Sequence, residues 1–361
     1  MLLGVWRAVC ITGCAAPIVA LTRWGSPPGP VGILASPSGT ACGAERRSSV
    51  APPSRATRTA SHTNKETLTI TARVRKAVLP AAGFGTRFLP ATKAIPKEMI
   101  PLIDRPIIQY AVEEAVASGI EQIVIVISSG RSAIEDHFDA APELDRWLEE
   151  RGDIEMLRQV RRISEIGPIA FVHQKEQLGL GHAVLMAKEL VCDEPFAVIL
   201  SDDVMINRSG DPVTKQLIDA HHAHRGSVIA VQKVQRADVS RYGIIDPVRE
   251  EGRLFEIGDL VEKPAVADAP SDMAVLGRYV LTPKIFDMLE QTPRGAGGEI
   301  QLTDAIQALM REQPVFGYQF EGVRHDAGTR IGWLEANVAV GLESDEADEF
   351  RAYVRGLDLR D

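Results

Sequence analysis

The segment that most constrains this chain is Gly83-Phe84-Gly85-Thr86-Arg87-Phe88-Leu89-Pro90, which follows the short, largely apolar run Lys76-Ala77-Val78-Leu79. A buried strand ending in a glycine-rich turn lets bare backbone approach a ligand and turns N–H groups toward phosphate oxygens. Arg87, Lys93 and Lys97 then set three cations in the same short stretch. The turn is not a dinucleotide-binding fingerprint, because Gly-x-Gly is followed by Thr-Arg rather than x-x-Gly. It is not a Walker loop either, because the Gly-Lys-Ser/Thr ending is missing.

The sequence around the turn alternates between strand and helix patterns. Residues 106–118 place Ile107, Ile108, Ala111, Val112, Ala115 and Val116 at helical spacing, and Gly119 closes the run. Residues 123–127 are unbroken apolar sequence, as in a parallel strand covered on both faces. The charged, periodic stretch 143–163 predicts one or two exposed helices. Residues 169–172 and 196–200 read as further strands, with a helix starting near Gly181 between them. This order implies right-handed crossovers and a doubly wound α/β sheet.

The second half is richer in β-structure, with strands expected at 227–231, 254–261 and 274–281. Thr282-Pro283 reads as an N-cap followed by the first helical position. Helices are expected at 283–289, 301–310 and 331–340, and a surface helix in the charged sequence from Ser344.

The formal net charge of −9 averages two unlike segments: residues 1–74 carry +6 and the rest −15. An acidic body argues against a general nucleic-acid binder. No apolar run reaches the roughly 18 residues of a spanning helix, so no membrane partner is expected. Cys10, Cys14 and Cys42 lie in the leader and only Cys192 in the body. That excludes a disulfide framework and predicts a reducing, cytoplasmic setting. Screening at about 8 Å means that nearby cations, not net charge, decide the binding of an anion.

Residues 25–58 are rich in Pro, Gly, Ser, Ala and Thr without a period, which predicts disorder. Arg7 precedes an apolar stretch, and Ile11-Thr12-Gly13-Cys14 looks like a lipoprotein cleavage box. Too few apolar residues separate them for the core of an export signal, and a transit peptide fits the composition better. The reading adopted is that residues 1–74 are a disordered leader outside the catalytic unit, an upstream start chosen in error being one such case. Residues 75–345 then form the catalytic domain and 346–361 a C-terminal surface segment.

The run from Ala81 to Met99 closely resembles the signature of bacterial UTP–glucose-1-phosphate uridylyltransferases, members of the sugar-nucleotide nucleotidyltransferases. The resemblance continues through Gln174, Gly179-Leu180-Gly181-His182-Ala183, Ser201-Asp202-Asp203, Glu262-Lys263-Pro264, Gly277-Arg278-Tyr279, Glu299-Ile300-Gln301-Leu302-Thr303-Asp304 and His325-Asp326. It covers about residues 75 to 345. It implies a mostly parallel (mixed), Rossmann-like sheet with helices on both faces and a β-rich sugar-binding half. The implied substrates are UTP and glucose 1-phosphate, the implied cofactor is Mg²⁺, and a homo-oligomer is the family expectation.

Asp202 follows a strand at its carboxyl end, where such sheets bind ligands. Two carboxylates brought together suit Mg²⁺, which binds few protein oxygens and keeps waters. The resemblance matches Asp202 and Asp326 to the metal acids, with Asp203 as a loop neighbour. It implies that Lys97 contacts phosphates during transfer and that Arg87 holds the β- and γ-phosphates. Ala81, Ala82, Gly83, Gly85 and Thr86 line the nucleotide. Gln174 offers a donor and an acceptor to the edge of uracil, with Gly179 passing a backbone group to the same base. Glu262 reads sugar hydroxyls, Lys263 the sugar phosphate, Gly243 makes a backbone contact to glucose, and Arg278 is a further phosphate candidate.

His182 reads as a helix-start or packing residue, and His221, His222 and His224 lack the pattern of a zinc site. Phe84, Arg105 and Ser201 depart from the usual family residues; Ser201 bears on the loop that carries Asp202. Two other functions fit the same motifs: a thymidylyltransferase using dTTP, and a non-catalytic nucleotide-sugar sensor. The charged segment between residues 139 and 163 favours the uridylyl enzymes, and retention of Arg87, Lys97, Asp202 and Asp326 argues against a sensor.

Overall fold

A computed structural model of the chain describes residues 73–357. The readings placed on residues 1–72 lie outside them. In chain order the strands are β1 (Lys76–Ala81), β2 (Pro101–Leu102), β3 (Arg105–Pro106), β4 (Gln122–Ile127), β5 (Ile169–His173), β6 (Phe196–Ile199) and β7 (Asp203–Ile206). They continue with β8 (Ser227–Lys233), β9 (Gly243–Glu251), β10 (Leu254–Glu262), β11 (Met273–Leu281), β12 (Val315–Gln319) and β13 (Val323–Asp326). The helices are α1 (Ile107–Ala117), α2 (Ser132–Phe138), α3 (Pro142–Arg151), α4 (Ile154–Ser164), α5 (Leu180–Leu185) and α6 (Lys188–Val191). After them come α7 (Val213–His224), α8 (Ile285–Gln291), α9 (Leu302–Leu309), α10 (Arg330–Gly341) and α11 (Ala347–Arg355).

Nine strands of the described residues form one mixed sheet in the order β5-β4-β1-β6-β11-β8-β12-β10-β9. β5, β4, β1 and β6 are mutually parallel. β11 runs antiparallel to both β6 and β8, and joins the parallel half to the antiparallel pair β9–β10.

The apolar strands are buried because both faces are covered. Ile123, Ile125 and Ile127 of β4 face a core shared with α1, α2 and α7, whereas Val124 and Val126 face one shared with α5, α8 and α9. This alternation is the period of two that a continuous apolar run conceals.

The charged stretch resolves into two helices, α3 and α4. Arg161 of α4 donates to Asp145 at 2.9 Å and pairs with Glu149, both on α3. α11 buries no residue, as expected of a surface helix.

β7, β13 and α2 have no counterpart among the elements expected from the sequence, and three further features differ from it. Val74, assigned to the leader, is 2% exposed and packs in the first core, so the folded unit begins earlier than residue 75. Thr282 does not cap a helix through its side chain: the helix starts at Ile285, and the Thr282 hydroxyl pairs with Gln313 Oε1 at 3.1 Å. β9 carries no clear strand pattern in the sequence, because its outer half, Asp246 to Glu251, is charged and contains Pro247. An edge strand tolerates both, since one side of its backbone has no neighbour to satisfy.

Candidate active site

The glycine turn leaves the end of β1 and folds against Lys97. Gly85 has φ +66°, and a Cβ there would lie 2.9 Å from Lys97 Cβ, so both conformation and space require glycine. Side chains hold the carbonyls around it. Gln177 donates to Ala82 O at 2.8 Å, Arg131 to Gly83 O at 3.0 Å, and the Thr92 hydroxyl to Gly85 O at 2.8 Å. A short 3₁₀ turn at Thr86–Phe88 follows, whose first N–H groups have no acceptor among the described residues. A turn of this kind suits an anion.

A cavity of about 320 Å³ opens beside this turn, lined by Ala82, Gly83, Lys97, Glu98, Gln174, Gln177, Gly179 and Asp202 among others. Ala81, Gly85 and Thr86 do not line it. Ala81 points into the core behind the turn, and Gly85 and Thr86 shape the turn itself. A second cavity, of about 600 Å³, holds Arg87, Gly243, Glu262, Lys263, Thr303, Arg324 and Asp326. Leu180, Leu200 and Asp202 line both, so the two cavities meet at Asp202.

Gln174 is 3% exposed at the end of β5. Its amide nitrogen donates to Gly179 O at 3.3 Å and to His182 Nδ1 at 2.8 Å. Gly179 has φ +93°, and a Cβ there would lie 2.7 Å from Glu299 Cβ. The segment after Gly298 locks this loop: Ile300 N donates to Leu178 O at 2.7 Å and Gly181 N to Ile300 O at 2.9 Å. His182, which the sequence suggests as a helix-start or packing residue, contacts Gln174, the residue expected to read the base.

Lys97 and Asp202 form the centre of the cleft. Nζ lies 2.6 Å from Asp202 Oδ2 and 3.8 Å from Glu98 Oε1. Burial lowers the Lys97 ammonium and raises the Asp202 carboxyl, but their mutual attraction, joined by Glu98 beside Lys97 and by a backbone hydrogen bond and Arg87 at Asp202, outweighs burial in both. Lys97 ends above its ordinary value and Asp202 below its own. Glu98 is 1% exposed, and neither of its oxygens has a hydrogen-bond partner among the described residues. Burial pushes its carboxyl up to about 7.

Asp202 and Asp326 converge around Gly328. A Cβ at that position would lie 2.9 Å from Asp202 Oδ2 and 3.2 Å from Asp326 Oδ1. This glycine cradle between two hard oxygen donors fits a divalent cation. No group of three or more His, Cys, Asp or Glu that could hold a metal occurs among the described residues. A two-carboxylate donor set suits a cation that takes its other ligands from water and phosphate. Asp203 is committed elsewhere: Arg324 Nε donates to its Oδ1 at 2.7 Å, and Gly277 N to its Oδ2 at 3.1 Å.

In the second cavity β9 and β10 set Gly243 opposite Glu262. Glu262 Oε2 accepts from the Thr303 hydroxyl at 2.8 Å, and its Oε1 lies 2.8 Å from Lys263 Nζ. Arg87 reaches across to Gly328 O at 3.4 Å. Thr303 and Arg324, which the sequence does not mark as site residues, line this cavity as well. Thr303 sat inside a quoted motif, and Arg324 had no local signal at all.

Arg278 corrects an expectation. It is 1% exposed and grips Glu114, with Nη2 at 2.7 Å from Oε2. Its remaining N–H groups go to the carbonyls of Leu200, Gly277 and Asp203 at 2.8–3.0 Å. No donor is left for a substrate phosphate. Arg278 instead ties down both flanks of the loop that carries Asp202. Of the three clustered histidines, His221 is buried, and its Nδ1 meets Gly226 O at 2.7 Å.

Residues 76–341 match the nucleotidyl transferase family. The chain is 50% identical over 286 residues to the UTP–glucose-1-phosphate uridylyltransferase of Bacillus subtilis (strain 168), covering 79% of this chain and 97% of that protein. The chain belongs to the UTP–glucose-1-phosphate uridylyltransferase family. Among solved structures of this family, a UDP-glucose pyrophosphorylase complexed with UDP-glucose is 42% identical with a TM-score of 0.69, covering 75% of this chain and all of that one. The UTP-bound enzyme from Acinetobacter baumannii is also 42% identical, with a TM-score of 0.75 over 79% of this chain and all of that one. No described helix of this family member is long and apolar enough to cross a membrane.

Proposed function

We propose that this chain transfers a uridylyl group from UTP to glucose 1-phosphate, giving UDP-glucose and pyrophosphate. The observation that carries this reading is the Lys97–Asp202 pair at the junction of the two cavities. A triphosphate with its base near Gln174 and a sugar phosphate near Glu262 would meet there. The kinship with a curated uridylyltransferase and with structures holding UTP or UDP-glucose supports the choice of substrates.

A phosphate oxygen of glucose 1-phosphate attacks the α-phosphorus of UTP. The bond from that phosphorus to the oxygen bridging to the β-phosphate breaks, and pyrophosphate leaves. The nucleophile is already an anion, so no general base is needed. Catalysis is then positioning and charge stabilisation. Lys97 holds a full positive charge beside the transferring group, and Arg87 faces the leaving phosphates. Glu262, steadied by Thr303, orients the sugar hydroxyls, while Gly243 leaves room beside it. Lys263 holds the sugar phosphate. Asp202 and Asp326 would hold Mg²⁺, which offsets phosphate charge when bound.

The same reading takes residues 75–345, extended to include Val74, as the catalytic unit and the leader as outside it. The two cores either side of β5-β4-β1-β6 support a doubly wound, Rossmann-like description. The single described cysteine, Cys192, is free and suits a cytoplasmic setting. Homo-oligomerisation is carried over from the family.

The test is pyrophosphate release by the full chain with glucose 1-phosphate, Mg²⁺ and UTP, CTP or dTTP in turn. Release with UTP supports the proposal. Release with dTTP alone replaces it by thymidylyl transfer, and release with none by a sensor.

A further inference from the structure

Gln174 is a symmetric-looking reader. Its amide can offer an acceptor oxygen or a donor nitrogen to a base, and the two choices select different pyrimidines. Uracil carries a donor at N3, whereas cytosine carries an acceptor there. Whatever fixes the amide therefore fixes the base.

Two groups fix it from behind. The Gly179 carbonyl can only accept, so the Gln174 atom facing it at 3.3 Å is the amide nitrogen. The second amide hydrogen points to His182 Nδ1 at 2.8 Å, which accepts only in the neutral tautomer with its proton on Nε2. Both Nε2 hydrogens are thereby spent. No described residue donates to Gln174 Oε1, and Gln174 lines the cavity beside the glycine turn.

We infer that His182 is a specificity-positioning residue, which holds the Gln174 amide so that its oxygen meets the base and admits pyrimidines with N3–H while rejecting cytosine. With cytosine, Oε1 would face the N3 lone pair, leaving two buried acceptors opposed. Turning the amide over would set its oxygen against the Gly179 carbonyl and strand the His182 acceptor. The penalty is thus built into the protein and does not depend on the sugar half. Uracil and thymine share this edge, so His182 sorts UTP and dTTP from CTP but not from each other.

Neutrality of the ring is part of the device. Burial lowers His182 from its ordinary value; Glu176 opposes this and Arg294 adds to it. The neutral form is therefore favoured at neutral pH. An imidazolium would present Nδ1–H to the amide and favour the reversed orientation.

The inference rests on reading this cavity as the nucleoside site, and binding separates the two. UTP and CTP dissociation constants are measured by calorimetry on the full chain, alongside turnover, for wild type, His182→Phe and His182→Asn. Phenylalanine keeps a ring but no acceptor, and the asparagine oxygen can replace Nδ1. Wild type should prefer UTP. His182→Phe should lower the UTP:CTP ratio about tenfold, through weaker UTP binding with kcat little changed, and His182→Asn should restore most of it. A wild-type ratio in His182→Phe, or no preference in wild type, would overturn the inference. Selective UTP binding without pyrophosphate release would overturn the proposed function and leave His182 its role.

Discussion

Lys97 Nζ lies 2.6 Å from Asp202 Oδ2, although 105 residues separate the two in the chain. The pair sits where the cavity proposed for the nucleoside meets the one proposed for the sugar. It also puts the cation expected at the phosphates on the oxygen that would face a metal, so a bound substrate must share Lys97 with Asp202. Lys97→Ala is expected to lower kcat by about 10²–10³, with circular dichroism unchanged. Steady-state pyrophosphate release checks this, and a near-normal rate would remove Lys97 from the chemistry.

Arg278 should behave as a structural residue rather than a substrate ligand. Removing one member of a buried ion pair costs about 3–5 kcal/mol. Arg278→Met, which strands Glu114, should show a loss of that size in urea unfolding. Glu114 Oε1 also accepts from the Thr214 backbone N–H at 3.0 Å and from its hydroxyl at 2.6 Å, so Glu114→Gln, whose amide oxygen can keep both, should cost less. A phosphate-binding role would give the opposite pattern: normal stability and a raised KM for glucose 1-phosphate.

Glu98 makes stability fall as pH rises. Its carboxyl is pushed from 4.5 to about 7 by burial, so the fold binds this proton more tightly than the unfolded chain does. The resulting stabilisation is fully present below about pH 4.5 and is lost as pH rises through 7. Glu98→Gln should flatten that dependence and add on the order of 2–3 kcal/mol at pH 8. Urea unfolding at pH 5 and pH 8 measures it; equal gains at both would contradict the account.

Thr303 supports Glu262 through a 2.8 Å hydrogen bond. Thr303→Val keeps the shape of the side chain and removes the donor. The KM for glucose 1-phosphate should rise about 5–10-fold, with the KM for UTP unchanged. Parallel changes in both constants would point to general loosening instead.

Much of the site was legible in the order of residues. The glycine turn, Lys97, Asp202 and the Glu262-Lys263 pair are local signatures, and short-range chemistry made each of them stand out. Gln174 stood out only through its motif, and its orientation did not. Whether an amide shows oxygen or nitrogen depends on a carbonyl five residues on and a ring nitrogen eight residues on, both brought round by the loop before α5. Arg324 and Thr303 are plain polar residues until β13 and α9 set them beside Asp203 and Glu262.

The strand-and-turn grammar, the helical periods and the cations around one glycine loop are properties of neighbours along the chain, and the sequence alone determined them. Arg278 marks the limit. In the sequence it is a cation next to a glycine in a binding motif, with nothing to tell a ligand from a brace. Only the packing of β11 against β6 and α1 decided the matter, by enclosing the guanidinium with Glu114 and three carbonyls. A buried charge must spend its donors on whatever the fold brings within reach, and that set of partners is not a local property of the chain.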